Sequence, residues 1–209
     1  MATRGRPRDF DRTIALRKAV EVFWEHGYEG TSIKDLTEAM GIASASLYAA
    51  FGSKEALFRE AMDLYTAMEG EVPRIPLREQ RSTRDAIHAM LRATADVITL
   101  EGLPHGCMLI LAAPVGAIEN HAIREFLAAG RRGQRAEIRA RLARGVAEGD
   151  LVASENGLDA MARYYATIVQ GLSVQARDGA SRAELEDVVT CAMAAWDTLA
   201  STSAPGGAV

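Results

Sequence analysis

The stretch TSIKDLTEAMGIASASLYAAFGSKEALF, residues 31–58, carries several helix signals in close succession. Ser32 followed three residues later by Asp35 is the pattern of a capping box, in which each side chain bonds the other's backbone. Apolar residues then recur at helical spacing and form one face: Ile33, Leu36 and Met40. Gly41 supplies the left-handed conformation that ends many helices. These signals predict a short helix followed by a tight turn.

A second short helix is predicted over residues 44–50. Leu47 and Phe51 are spaced to face inward, which leaves the opposite face to the solvent. That outward face carries Ser44, Ala45, Ser46 and Tyr48. Ser53 can cap a third helix. The whole stretch is therefore predicted to form a helix-turn-helix that continues into a longer helix.

The pattern TS-I-x-D-L-x-x-A-x-G-I followed by S-x-S-L-Y-x-x-F-x-S-K-E-A-L-F resembles the DNA-binding module of TetR/AcrR-type repressors. The resemblance extends over residues 15–58. It implies a ligand-responsive regulator that binds a pseudo-palindromic double-stranded operator as a homodimer and is released by a small-molecule effector. The chain departs from the family pattern at Ala43, where Ser or Thr is common, and at Ala49 and Ala50, where larger residues are common.

Candidate DNA contacts follow from this resemblance and from charge. The arginines of RGRPR precede the first helix, where basic arms of helix-turn-helix proteins reach a groove or phosphates; the alternative is a solvated tail. Lys54 lies in a first helical turn, where a cation is unfavourable unless a phosphate is close; the alternative is an ordinary exposed lysine. The predicted contacts are Arg4, Arg6, Arg8, Thr31, Ser44, Ala45, Ser46, Tyr48 and Lys54.

Composition sets outer bounds on the chain. Its 209 residues are 48% hydrophobic and 25% charged with a net charge of -4, which is typical of a globular protein with a substantial core. The longest apolar run, residues 107–115, is too short to span a membrane, so a cytoplasmic protein is expected. Cys107 and Cys191 fit a reducing compartment.

We expect two domains: a DNA-binding domain at residues 1–55 and an effector-binding and dimerisation domain at residues 56–209.

The rest of the chain shows helical periodicity and no alternation typical of strands. An all-α fold of about nine helices is predicted. Residues 71–81 contain two prolines and no periodicity, which predicts a loop, part of it either a helical turn or mobile. Residues 107–115 are predicted to be a core helix, since a lone strand could not satisfy its backbone. The other predicted helices cover residues 11–26, 54–69, 82–100, 119–148, 158–177 and 182–199.

The last two predicted helices are apolar around more than half of their circumference and so need two sets of partners. The family resemblance implies a four-helix bundle between two subunits, and the predicted interface consists of Leu172, Val189, Met193 and Trp196. The alternative is that both helices are central in a monomer's core.

An effector pocket is predicted from adaptable and hydrogen-bonding side chains: Met90, Cys107, Met108, Tyr164, Tyr165 and Ile168. Its ligand is expected to be largely apolar, because the sequence shows no evident buried charge. The alternative is that these side chains fill one another's space.

No catalytic or cofactor-binding constellation is evident, so an enzyme is not expected. His105 and Cys107 could supply two metal ligands, and Cys107 alone could sense oxidants, but core packing is favoured and no metal site is predicted.

The helix predicted over residues 119–148 carries six arginines in its middle. They form either a second nucleic-acid surface or, more simply, a solvated helix face: Arg131, Arg132, Arg135, Arg139, Arg141 and Arg144. The rival function is a helical-bundle enzyme or small-molecule carrier with an N-terminal scaffold.

Overall fold

The computed structural model describes residues 10–112 and 120–203, and within these ranges every regular element is a helix. The predicted all-α fold is confirmed. Arg4, Arg6 and Arg8 lie outside the described residues. The helices are α1 (Arg12–Gly30), α2 (Ile33–Met40), α3 (Ser44–Phe51), α4 (Lys54–Ala67), α5 (Ile75–Glu79), α6 (Thr83–Ile98), α7 (Met108–Leu111), α8 (His121–Ala147), α9 (Glu155–Arg177), α10 (Arg182–Ala194) and α11 (Trp196–Thr202).

Helix starts follow the capping residues seen in the sequence. The Ser32 hydroxyl accepts a hydrogen bond from Asp35 N at 3.1 Å, and the Asp35 carboxylate accepts one from Ser32 N at 2.8 Å. Ser181 and Glu184 form the same reciprocal box at the start of α10. Each such cap stabilises its helix by about 1 kcal/mol. Local sequence therefore fixes where α2 and α10 begin.

Three predicted boundaries differ from the structure. The first helix does not stop at Gly27 but bends there, with φ 70° and ψ 177°, and continues to Gly30. The predicted helix over residues 182–199 is divided at Ala195 into α10 and α11. The predicted loop over residues 71–81 contains a 3₁₀ turn at Val72–Arg74 and then α5. Of the predicted core helix over residues 107–115, Met108–Leu111 is helical, and residues 113–115 lie outside the described ranges.

The first of two hydrophobic clusters, the N-terminal core, surrounds α1 and α4. Its largest members are aromatic, and it also takes in residues from much later in the chain, including Met108, Leu109, Ile123 and Leu127. The boundary predicted at residue 55 thus falls inside this cluster, because α4 packs against α1 as part of the same core. α7 and the start of α8 complete the support of the helix-turn-helix.

The second cluster, the C-terminal core, lies between α6, α8, α9 and α10. It is mainly aliphatic and includes Ile87, Leu91, Ile138, Leu142, Met161, Leu172 and Val189. α7 contributes to both clusters, with Met108 in the first and Ile110 in the second. No described helix is long and apolar enough to cross a membrane.

Candidate nucleic-acid interface and effector cleft

The outer face of α3 is built as the sequence predicts. Leu47 and Phe51 are buried against α2 and α4, at 0% and 4% exposure. Tyr48 is 48% exposed, which leaves its ring and hydroxyl free to meet a ligand. Ser44 and Ala45 are also exposed, and Ser46 is half-buried. The helix therefore presents small and polar side chains on a rigid support.

Lys54 stands at the first turn of α4, beside this face. Its ammonium lies 4.4 Å from the centroid of the Tyr28 ring, a cation–π contact that restricts its position. Partial burial lowers the pKa of Lys54, while the nearby carboxylates of Glu29 and Asp35 raise it. The result is a positioned cation close to the end of α3.

Thr31 does not share this exposure. Its side chain is 1% exposed, and its hydroxyl donates to the Gly27 carbonyl at 2.6 Å. The predicted DNA contact by the Thr31 side chain is therefore corrected: the hydroxyl fixes the corner between α1 and α2 instead.

A junction that the sequence does not predict joins α9 to the end of α1. The Arg177 guanidinium donates three hydrogen bonds to main-chain carbonyls, to His105 at 2.8 Å, Glu25 at 2.8 Å and Trp24 at 2.7 Å. The Trp24 indole N–H donates to the Gly106 carbonyl at 2.8 Å. The C-terminal helices are thus bonded directly to the helix that supports α2 and α3.

The glycine at the bend of α1 completes the junction. Tyr28 N donates to the Ala112 carbonyl at 2.9 Å, and a Cβ at Gly27 would lie 2.7 Å from that same oxygen. With φ at 70° and ψ at 177°, Gly27 occupies a region of backbone conformation that is essentially restricted to glycine. Close approach and backbone conformation both require glycine here.

Five of the six side chains predicted to form one effector pocket belong to the C-terminal core or pack against it, and Met108 does not. Met108 is buried in the N-terminal core and Tyr165 in the C-terminal core. Cys107, Tyr164 and Ile168 are half-buried. Only Met90 lines the narrow opening between α6 and α8, which we term the central cleft.

The central cleft has room for about 20 Å³, enough for one water molecule. Its walls combine apolar and polar side chains from five elements: Pro73, Arg74, Leu77, Met90, Thr94, Gln134, Glu137, Ile138 and Val169. A larger ligand would have to widen it.

Cys107 lies against the Tyr65 hydroxyl at the start of α7. Burial raises the pKa of the Cys107 thiol, and it also raises the pKa of Tyr65. Both groups are therefore protonated at neutral pH. No cluster of three or more His, Cys, Asp or Glu side chains suited to a metal occurs in residues 10–112 and 120–203.

An open depression of about 350 Å³, the arginine groove, adjoins the central cleft. It is lined by Arg74, Leu77, Arg78, Glu137, Ala140, Arg141 and Arg144. Arg141 is only 3% exposed, which differs from the expectation that no charge is buried and that this arginine belongs to a solvated face. Arg139 does match a solvated face, since it pairs at the surface with Glu155 and Asp159.

The four side chains predicted for a dimer interface are buried within the single chain. Leu172 and Val189 are 0% exposed, Met193 7% and Trp196 6%, all in the C-terminal core. A partner cannot reach them, because they face α6 and one another's helices. The outward face of α9 and α10 carries other residues, among them Thr167, Gly171, Val174, Thr190, Cys191 and Ala194.

Comparison with known proteins shows the same architecture. The family described as "Bacterial regulatory proteins, tetR family" matches residues 15–61. The HTH-type transcriptional repressor ComR of Escherichia coli (strain K12) is 33% identical over 94% of this chain and 94% of its own length.

Two solved structures extend the likeness. The TetR family transcriptional regulator CifR, a cysteine mutant complexed with 26 bp double-strand operator DNA, is 46% identical, covers 92% of this chain and 100% of its own, and superposes with a TM-score of 0.88. A TetR transcriptional regulator from Rhodococcus sp. RHA1 is 37% identical over 91% of this chain and 99% of its own, with a TM-score of 0.56. Sequence and fold agree along nearly the whole chain, which therefore belongs to the TetR family of bacterial regulatory proteins.

Proposed function

We propose that the protein is a non-enzymatic, cytoplasmic transcriptional repressor that binds operator DNA as a homodimer and releases it when a small molecule binds the C-terminal helices. The observation that carries this proposal is the exposed face of α3, supported from behind by buried Leu47 and Phe51 and followed by the positioned cation of Lys54. The operator complex of the similar regulator CifR supports it.

On the operator, α3 would lie in the major groove. Ser44 and Ser46 can donate to or accept from base edges, and Ala45 is small enough to approach a thymine methyl group. Tyr48 and Lys54 would bind phosphates, which position the helix without reading sequence. The arginine arm, Arg4, Arg6 and Arg8, is proposed on sequence grounds alone to contact the adjoining groove or backbone.

A homodimer is needed because two α3 helices must meet major grooves about 34 to 36 Å apart, or a multiple of that distance. We place its interface on the outward face of α9 and α10. Val174 is 47% exposed there, and nothing lies within 4 Å of the position where a Gly171 side chain would project. Small and apolar residues on this face would allow two copies to pack closely. Residues 56–209 would thus serve both dimerisation and effector binding, and residues 1–55 the operator.

The effector would act through the elements that join the two cores. A ligand that widens the central cleft would act through α8 if it moves that wall, because α7 links α8 to the N-terminal core. Arg177 connects α9 to α1 in addition. Weakening operator binding tenfold requires about 1.4 kcal/mol of differential ligand affinity between the two states, and operator must weaken ligand binding by the same factor.

The test is titration of the full chain with its own upstream DNA over a series of salt concentrations. Lys54→Ala should weaken binding to all sequences about equally and lower the salt slope by about 1. Lys18→Ala is the matched control, since Lys18 lies in α1 and pairs with Glu21 at 2.8 Å. Identical salt slopes for wild type and Lys54→Ala would show that Lys54 does not bind a phosphate. Absence of any retarded complex at physiological salt would overturn the proposed repressor function.

A further inference from the structure

Arg141 is a buried cation with no carboxylate in direct contact, although Glu148 and Asp150 lie near enough to attract it. At 3% exposure, its guanidinium donates to the Thr83 hydroxyl at 2.7 Å and to the carbonyls of Gln80 and Arg81 at 3.3 and 2.9 Å. Its Nε has no hydrogen-bond partner, and no carboxylate of the described residues lies within ion-pair distance of it. Asp150 accepts a hydrogen bond from Thr83 N, so its charge reaches Arg141 across Thr83 and not through an ion pair. A buried cation without a contacting anion is costly, and an anion that binds it offsets that cost.

The arginines around it add to this excess of positive charge. Arg144 donates to the carbonyls of Arg78 and Gln80 at 3.3 and 3.2 Å, its Nε also lacks a hydrogen bond, and Glu148 is 3.5 Å from it. Arg74 and Arg78 line the same groove, each beside one glutamate. Four guanidiniums therefore surround a depression to which Glu137 contributes the one lining carboxylate among the described residues.

The groove also leads to an apolar surface. Leu77 and Ala140 form part of its wall, and Arg74, Leu77 and Glu137 line both the groove and the central cleft. The cleft continues to Met90, Ile138 and Val169. An anionic group in the groove would thus sit beside an entrance to an apolar interior.

We infer that the effector is an amphipathic anion, with a carboxylate or phosphate head bound by Arg141 and Arg144 and an apolar chain that enters the central cleft. The inference rests on the proposed function and names its effector class. Charge-assisted hydrogen bonds to two guanidiniums orient the head, while the apolar chain supplies contact area. A neutral apolar molecule of the same length leaves Arg141 without a contacting anion and its Nε without a hydrogen bond.

Calorimetric titration of the full chain, without DNA, tests the inference with octanoate, octyl phosphate and 1-octanol. At least one of the anions should bind about tenfold or more tightly than the neutral alcohol, and the better of the two identifies the head group. Arg144→Gln should weaken that anion about tenfold and leave 1-octanol unchanged. Arg139→Gln, on the same helix but paired with Glu155 and Asp159, is the control and should bind like wild type.

Equal binding of the alcohol and both anions would overturn the inference, as would an Arg144→Gln variant that keeps full anion affinity. Because Arg141 is buried, Arg141→Gln is informative only alongside a thermal unfolding curve, and Arg144→Gln carries the decision. Operator retardation is measured separately, without ligand. If the protein retards its DNA but shows no preference for anions, the repressor proposal stands and the anion site is wrong. If it binds anions selectively but does not retard its DNA, the anion site stands and the repressor proposal is wrong.

Discussion

The N-terminal and C-terminal cores differ in how completely their polar groups are paired. In the first, aromatic rings meet edge to face: the ring centroids of Phe23 and Tyr28 lie 5.0 and 5.1 Å from that of Phe58. Beside the second, on α8 and α9, lie all the buried side-chain polar atoms of the described residues that lack a hydrogen bond: Gln134 Oε1, Arg141 Nε, Arg144 Nε, Tyr165 OH and Ser173 Oγ.

This difference separates a fixed support from an adaptable one. Native interiors pair nearly all buried polar groups, and each unpaired one costs about 1 to 3 kcal/mol. The half that presents α3 satisfies its buried donors, as the Trp24 and Thr31 bonds show. The half proposed to bind an effector retains unpaired groups, which a ligand can satisfy on binding. Four substitution experiments test the contrast.

The largest effect is expected for Leu172→Arg. Leu172 is fully buried in the C-terminal core, so an arginine there should cost several kcal/mol and unfold the chain. Val174→Arg, two residues on and 47% exposed, should leave a folded monomer that no longer retards operator DNA. Circular dichroism and sedimentation distinguish the two outcomes. A folded, dimeric Leu172→Arg variant would show that the C-terminal core is looser than described, and a dimeric Val174→Arg variant would place the interface elsewhere.

Gly27→Ala should follow, with a loss of about 3 kcal/mol in the free energy of unfolding. The new Cβ would lie 2.7 Å from the Ala112 carbonyl, and the backbone conformation itself is strained for alanine. Gly41→Ala is the control: its φ is 66°, but nothing lies within 4 Å of the new atom, so about 1 kcal/mol is expected. Urea unfolding measures both. Equal losses would mean that contact with Ala112 is not what requires glycine.

Removing a polar atom from each core tests the contrast most directly. Trp24→Phe deletes the bond to the Gly106 carbonyl and leaves a small cavity, so a loss of about 2 to 4 kcal/mol is expected. Tyr165→Phe deletes a hydroxyl that has no partner and should change stability by less than about 0.5 kcal/mol, or increase it. Burial also raises the pKa of Tyr165. A marked loss for Tyr165→Phe in urea unfolding would contradict the contrast.

The smallest effect concerns capping carboxylates, one in each half. Hydrogen bonds from Ser32 lower the pKa of Asp35, and those from Thr83 lower the pKa of Asp150. Such a group contributes stability above the ordinary aspartate pKa of 3.8 and loses it as the pH falls through the lowered folded-state value. Asp35→Asn and Asp150→Asn should each flatten the fall in stability below about pH 4, measured by urea unfolding. If the fall in stability flattens in only one of the two variants, the two halves also differ in how strongly their capping carboxylates stabilise them.

Sequence patterns were sufficient where local chemistry decides the structure. The capping boxes at Ser32 and Ser181 and the inward spacing of Leu47 and Phe51 appear as predicted. They were insufficient for α9 and α10, because a helix that is apolar on two sides does not reveal which side meets its own chain. Leu172 of α9 and Val189 of α10, which the sequence predicts to meet a partner, belong to the core.

Arg141 and Arg177 differ in what the sequence reveals of their positions. Arg141 follows Ile138 by three residues and precedes Gly145 by four, so its position on the buried face of α8 was readable from spacing. Its charge led to the interpretation as a solvated face. Arg177 gives no signal in the sequence, because its three hydrogen bonds go to carbonyl oxygens, which every residue supplies; the Glu25 carboxylate lies farther away, at 3.9 Å.

That dependence on carbonyl oxygens bears on how the protein could be re-engineered. Because the hydrogen-bond acceptors are main-chain atoms of residues 24, 25 and 105, the identity of His105 matters little to the Arg177 contacts, and Glu25 adds only an ion pair at 3.9 Å. A chimera that joins this effector half to another regulator's DNA-reading helices should keep its alignment if it retains Trp24, Gly27 and the backbone path between them. Biosensors with a new operator and an unchanged ligand response could be assembled by grafting at this point.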